Sequence, residues 1–135
     1  MPFSLAIDEV HDCILVGWYG KMTPGDLSAY YDEIEALPGF RPGLKRIHDL
    51  RRADVNLERA EIRSIADAAR LGDARQGQRQ IVFLVGSDAA FGIARVLMVM
   101  RESCTVTQNV FRDFDRARAW LKLPDDYEDP FPIND

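Results

Sequence analysis

Along this chain the apolar positions switch repeatedly between a period of two and a period of three to four, and each switch marks an element. Phe3 to Ile7 and Cys13 to Tyr19 read as strands. The polar Asp8-Glu9 turn joins them, with His11-Asp12 near the start of the second, so an antiparallel pair is expected. Thr23-Pro24-Gly25-Asp26 then supplies a cap hydroxyl, a proline at the first helical position and an acid at the third. A helix should begin there. Leu27, Tyr30, Tyr31, Ile34 and Leu37 step by three or four along one face, and Pro38-Gly39 stops it.

Leu44 to Leu50 is short, mixed in polarity and bounded by Pro42-Gly43 and Arg51-Arg52, and reads as a strand. Asn56 is the expected cap of a second helix. Glu58 and Glu61 lie near its positive end, Ile62, Ile65, Ala66 and Ala69 form its buried face, and Gly72 is its expected end. Ile81 to Val85 is continuously apolar, as in a parallel strand covered on both faces. Gly86-Ser87-Asp88 leads into a helix from about Ala89 to Glu102. Thr105 to Phe111 is the last strand. Asp113 caps a final short helix whose buried face is Phe114, Ala117, Trp120 and Leu121. The order β-β-α-β-α-β-α-β-α predicts an α/β fold with a mixed, largely parallel sheet covered by helices.

The 135 residues suit one domain, residues 1–123, followed by an acidic, proline-containing tail, residues 124–135. Net charge is -5, and five acids lie in the last eleven residues, so the remainder is balanced. A nucleic-acid partner is not expected from that balance. The start lacks the pattern of a signal peptide, and no apolar run reaches the roughly 18 to 20 residues that cross a bilayer. A cytoplasmic protein without membrane insertion is the expectation. Cys13 and Cys104 read as buried thiols, with no metal-binding pair.

Several spaced motifs carry a resemblance: Trp18-Tyr19-Gly20-Lys21-Met22-Thr23, Ile47-His48-Asp49-Leu50-Arg51, Val85-Gly86-Ser87-Asp88 with Phe91-Gly92-Ile93-Ala94-Arg95, Val110-Phe111-Arg112 and Ala119-Trp120-Leu121. Together, over about residues 3 to 123, they resemble the SpoIIAA-like (STAS/SEC14-type) small bacterial proteins. The resemblance implies a STAS-like fold, related to antagonists of anti-sigma factors that act by binding partner proteins. Those antagonists carry a phosphorylated serine at the helix start after an Asp-Leu-Ser strand end. Here Asp49-Leu50 matches, but the helix start reads Leu57-Glu58-Arg59-Ala60, without a hydroxyl. The same phosphoswitch is therefore not expected, and the chain is too short to bring the lipid pocket of SEC14 domains with it.

Ligands of parallel α/β sheets bind at the carboxyl ends of the strands, where Asp49, Arg51, Arg52, Ser87 and Asp88 fall. With Arg95 they form a candidate small-anion site, the amides after Ser87 holding the anion. The competing reading is a structural ion pair with a helix cap. The spacings of a receiver domain, a phosphate loop and a nucleophile elbow are missing, so no catalytic residue is assigned and no cofactor or metal is expected. His48 and Asp49, adjacent on a strand, should point to opposite faces, His48 half-buried. Trp18, Tyr30, Tyr31 and Trp120 lie on periodic apolar faces and read as core.

The Ala89 to Glu102 helix is apolar most of the way round. Phe91, Ile93, Val96, Leu97, Val99 and Met100 cannot all face one sheet, so they form a candidate interface. Either a second subunit covers them, in a homodimer, or Tyr127, Phe131 and Ile133 fold back over them. The sequence favours a non-enzymatic STAS-like regulatory or protein-interaction module with an unknown protein partner. The alternative is a small-ligand or anion-binding protein, or an enzyme of unknown reaction, using the polar strand-end edge.

Overall fold

The computed structural model describes residues 2–102 and 105–131 and has the expected α/β architecture. β1 (Phe3–Asp8) and β2 (Cys13–Trp18) form the antiparallel hairpin. A two-residue β3 (Gly20–Lys21) precedes α1 (Pro24–Glu35), and β4 (Lys45–Asp49) is followed by a two-residue β5 (Ala53–Asp54). Then come α2 (Arg59–Gln76), β6 (Arg79–Leu84), α3 (Asp88–Arg101), β7 (Val106–Phe111) and α4 (Phe114–Trp120). The main sheet runs β1-β2-β4-β6-β7, parallel from β2 onward, and β3 pairs β5 in a separate small ladder. That ladder is the addition to the expected order; two residues are too few for any periodicity to announce.

α1 begins as its sequence predicts, with the Thr23 hydroxyl and the Asp26 carboxylate accepting each other's backbone N–H at 3.1 Å. α2 departs from expectation at both ends. Its cap is Glu58, not Asn56, with the Glu58 N–H donating to the Glu61 carboxylate at 2.9 Å. It also runs through Gly72 and ends only at Gly77, whose φ of 76° lies in the left-handed region. Gly72 has a packing role: a Cβ there would strike the Tyr31 ring, so its bare backbone lets α2 approach α1.

The period of two along the strands builds a core on each face. Ile14, Val16 and Trp18 of β2, with Ile81 and Phe83 of β6, pack under α1, α2 and α3. Cys13, Ile47, Val82 and Leu84 face the other way, under Ala117, Leu121, Leu123 and Phe131. Trp18, Tyr30 and Tyr31 are buried core residues, whereas Trp120 is only half-buried. α2 packs against both α1 and α3, leaving α3 as the outer helix beside β7.

The described part of the tail settles on the α4 face. Phe131 is buried there, and the Tyr127 hydroxyl donates to Asp8 at 3.0 Å. Tyr127 and Phe131 therefore do not cover α3, which corrects the fold-back expectation. Ile133 lies outside the described residues, as does Cys104. Cys13 is a buried thiol, its pKa pushed up to about 12 by burial. Among the described residues, no helix is long and apolar enough to cross a membrane.

Candidate functional site

The carboxyl ends of β4 and β6 do gather polar groups, and the chain's own atoms engage them. Asp49 is buried and accepts from both the backbone N–H and the Nε of Arg51, at 3.1 and 2.8 Å. The far end of the Arg51 guanidinium donates to Asp129 at 2.9 and 3.2 Å and to the Phe131 carbonyl at 3.4 Å. Burial works against the charge on Arg51, but the carboxylates of Asp129 and Asp49 outweigh it and raise the pKa. Arg51 thus ties the tail to the sheet. Arg52 lies with its guanidinium 5.9 Å from the centre of the Tyr19 ring.

Ser87 caps α3, its hydroxyl accepting from the Ala90 N–H at 3.1 Å. Asp88 pairs with Arg112, which also donates to the Gly86 carbonyl at 3.4 Å. Arg95 stands apart from this edge. It lies seven residues into α3, about 10 Å from the helix start, and lines a groove with Met98, Val99, Glu102, Val106 and Gln108. The strand-end cluster therefore contains Asp49, Arg51, Ser87 and Asp88, each with a partner from the chain itself, and does not include Arg95.

A second polar constellation lies under the three-helix face. Arg46, His48, Asp73, Gln76, Arg79 and Arg101 are all buried. Asp73 is the hub. It accepts from Nε of Arg101 at 3.0 Å, from Arg101 Nη2 at 2.8 Å, from the Tyr31 hydroxyl at 3.2 Å and from Arg79. Burial acts to raise the Asp73 pKa, but the bonds and charges of Arg101 and then Arg79 prevail and hold it below the usual carboxylate value. Arg46 donates to the Tyr30 hydroxyl at 2.7 Å and to the Gln76 side chain at 2.8 Å.

His48 is fully buried rather than half-buried. Its Nδ1 accepts from the Trp18 indole at 3.0 Å, and it faces away from Asp49, as strand alternation requires. Burial pushes its pKa well below the ordinary imidazole value, and the charges of Arg101, Arg46 and Arg79 add to the effect. A neutral His48 is a hydrogen-bond acceptor for Trp18. The spacing that could have revealed this network is present in the sequence. Arg46 and His48 alternate on one face of β4, and Asp73 and Gln76 continue the buried stripe of α2 past Gly72.

The third feature is the outer side of α3. Val99 is 71% exposed and Val96 42% exposed, while Phe91, Ile93 and Met100 are half-buried and Phe91 packs on the main core. Beside them runs β7, an edge of the sheet. The carbonyls of Thr105 and Phe111 accept from Arg79 and Val85, so the odd-numbered backbone groups of β7 face β6. Those of Val106, Gln108 and Val110 face outward, with the Val110 N–H taken by the Asn109 side chain at 2.8 Å. β7 has neither a charge nor a proline to discourage strand pairing.

A mostly parallel sheet opened by an antiparallel hairpin and covered by three helices on one face and one on the other is a SpoIIAA-like fold. A solved structure bears this out: an uncharacterized protein from the DUF3478 family with a SpoIIAA-like fold, from Shewanella loihica PV-4. It superposes with a TM-score of 0.60 over 88% of this chain and 93% of its own, at 17% sequence identity. No protein-family model and no curated protein matches this sequence.

Proposed function

We propose that this chain is a STAS-like regulatory or protein-interaction module that works by presenting the outer side of α3 and the adjoining β7 edge to another protein, and carries out no chemistry of its own. The observation that carries this reading is the row of Val96 and Val99 left in solvent beside an uncharged sheet edge. An apolar row of this kind, rimmed by Arg95 and Glu102, has the composition of a contact surface. The strand-end edge gives weaker support to a ligand site, because Asp49, Arg51, Ser87 and Asp88 are already bonded within the chain. Asp129 stands where an anion would meet Arg51. The helix start at Glu58 and Arg59 offers no hydroxyl for the phosphoswitch of the anti-sigma-factor antagonists.

Site-specific photo-crosslinking in the cell tests the reading. A photoreactive residue in place of Val99 should give a protein adduct, whereas one in place of Val10, still more open to solvent on the β1–β2 turn, should not. Adducts at position 10 with none at position 99 would overturn it.

A further inference from the structure

We propose that the protein on this face is a second copy of the chain, docked about a two-fold axis that lays α3 antiparallel to its mate and brings the two β7 edges together. The inference rests on the interaction reading above and names its partner. Charge complementarity carries it. Arg95 and Glu102 line the same groove, seven residues apart, and seven residues make almost two whole turns. They therefore share one face of α3, positive at its middle and negative at its carboxyl end.

An antiparallel two-fold centred midway between them sets each Arg95 against the Glu102 of the other copy. It also places Val99, the most exposed large apolar residue of the helix, beside the axis. The charges then choose the register. An axis moved one turn toward the start of α3 would bring Arg95 against its own copy, two like charges at the centre of the contact.

The sheet is arranged to fit the same axis. β7 and α3 are neighbours on one side of the molecule, and β7 presents the backbone groups of Val106 and Gln108 outward. A two-fold perpendicular to the sheet at that edge makes both pairs antiparallel at once, the helices above and the strands below. The patch is one helix side and one short strand, near the lower limit of interfaces that hold stable pairs, so the dimer should dissociate in the micromolar range.

Sedimentation of the full chain from micromolar to millimolar concentration tests the proposal. The wild type should pass from monomer to dimer, and Val99→Asp should stay monomeric throughout with an unchanged circular dichroism spectrum. Arg95→Glu and Glu102→Arg alone should each raise the dissociation constant by about tenfold, and the two together should restore most of it. A wild type monomeric at every concentration overturns the proposal. So does a dimer that survives Val99→Asp, or a double reversal no better than the single ones. Failure here with a different protein crosslinked at position 99 would leave the interaction reading standing, whereas failure here with no adduct at position 99 would end both.

Discussion

Asp73→Asn should be among the most damaging single-atom changes this fold can receive. Asp73 is the acid on which two buried guanidinium groups, Arg79 and Arg101, converge, and Arg101 also donates to the Tyr31 hydroxyl at 3.1 Å. The amide keeps the shape and one acceptor oxygen, but it removes the negative charge and turns an NH₂ toward groups that are themselves donors. Breaking a buried pair by removing one partner costs about 3–5 kcal/mol. That is a large share of the roughly 5–15 kcal/mol by which domains are stable. For a chain of this size it corresponds to a fall in melting temperature of about 10–20 °C.

Urea unfolding at pH 7, followed by circular dichroism, reads the loss directly. Asp67→Asn is the control. It breaks a solvent-exposed pair with Arg70 on the same helix and should cost about 0.5 kcal/mol or less. The pH dependence gives a second check. The folded-state pKa of Asp73 is depressed, so its contribution is fully present above the unfolded value, near 3.8, and is lost as pH falls through the folded value. The gap between wild type and Asp73→Asn should therefore narrow in acid. An Asp73→Asn protein within about 1 kcal/mol of wild type at pH 7 would refute the view that this carboxylate holds the buried arginines.

His48 is depressed as well, so the unfolded chain takes up a proton below about pH 6.5 that the folded chain refuses. Stability should fall with pH below that point, by up to about 1.4 kcal/mol per pH unit, and His48→Gln should flatten this slope in urea titrations at several pH values. Gly72→Ala should destabilise by about 1–3 kcal/mol in the same assay, because the collision with the Tyr31 ring outweighs alanine's helix propensity; an increase in stability would contradict the packing. A chain ending at Leu123 should lose about 2–4 kcal/mol, since Phe131 leaves the α4-side core and Arg51 loses Asp129. Its dimerisation should not change, because Tyr127 and Phe131 lie away from α3, and sedimentation of the shortened chain checks this.

Local signals were readable where a few neighbouring residues decide the outcome. The Thr23-Pro24-Gly25-Asp26 start of α1, the apolar β6 and the β1–β2 hairpin follow from spacing and cap chemistry, and the structure has all three. The bounds of α2 are hard to read from sequence because its punctuation is ambiguous. Asn56 resembles a cap, and Gly72 resembles a stop until Tyr31, forty-one residues earlier, is seen against it. The buried network was harder to read. Arg46, Arg79 and Arg101 each look like surface residues, and only the topology brings Arg79 and Arg101 from β6 and α3 onto Asp73 and Arg46 from β4 onto Gln76.

The strand-end edge was legible as a place and not as a set of partners. Asp49 and Arg51 are two residues apart, but the residue that completes their cluster, Asp129, comes from the tail. The breadth of the apolar arc on α3 was also legible. Which of its residues stay in solvent was not, because that depends on where the tail goes, and its described part, with Tyr127 and Phe131, goes to the opposite face.

Amide hydrogen exchange at the two edges of the sheet tests most directly the claim that α3 and β7 form the working face. The outward-facing amides of β7, Val106 and Gln108, can be followed beside Phe3, Leu5 and Ile7, which face outward on β1 because Pro2 pairs inward with Tyr19. Measured by NMR on dilute and on concentrated protein, exchange at Val106 and Gln108 should slow as concentration rises, while exchange at Phe3, Leu5 and Ile7 stays constant. Protection that grows on β1 instead, with β7 unchanged, would contradict the account.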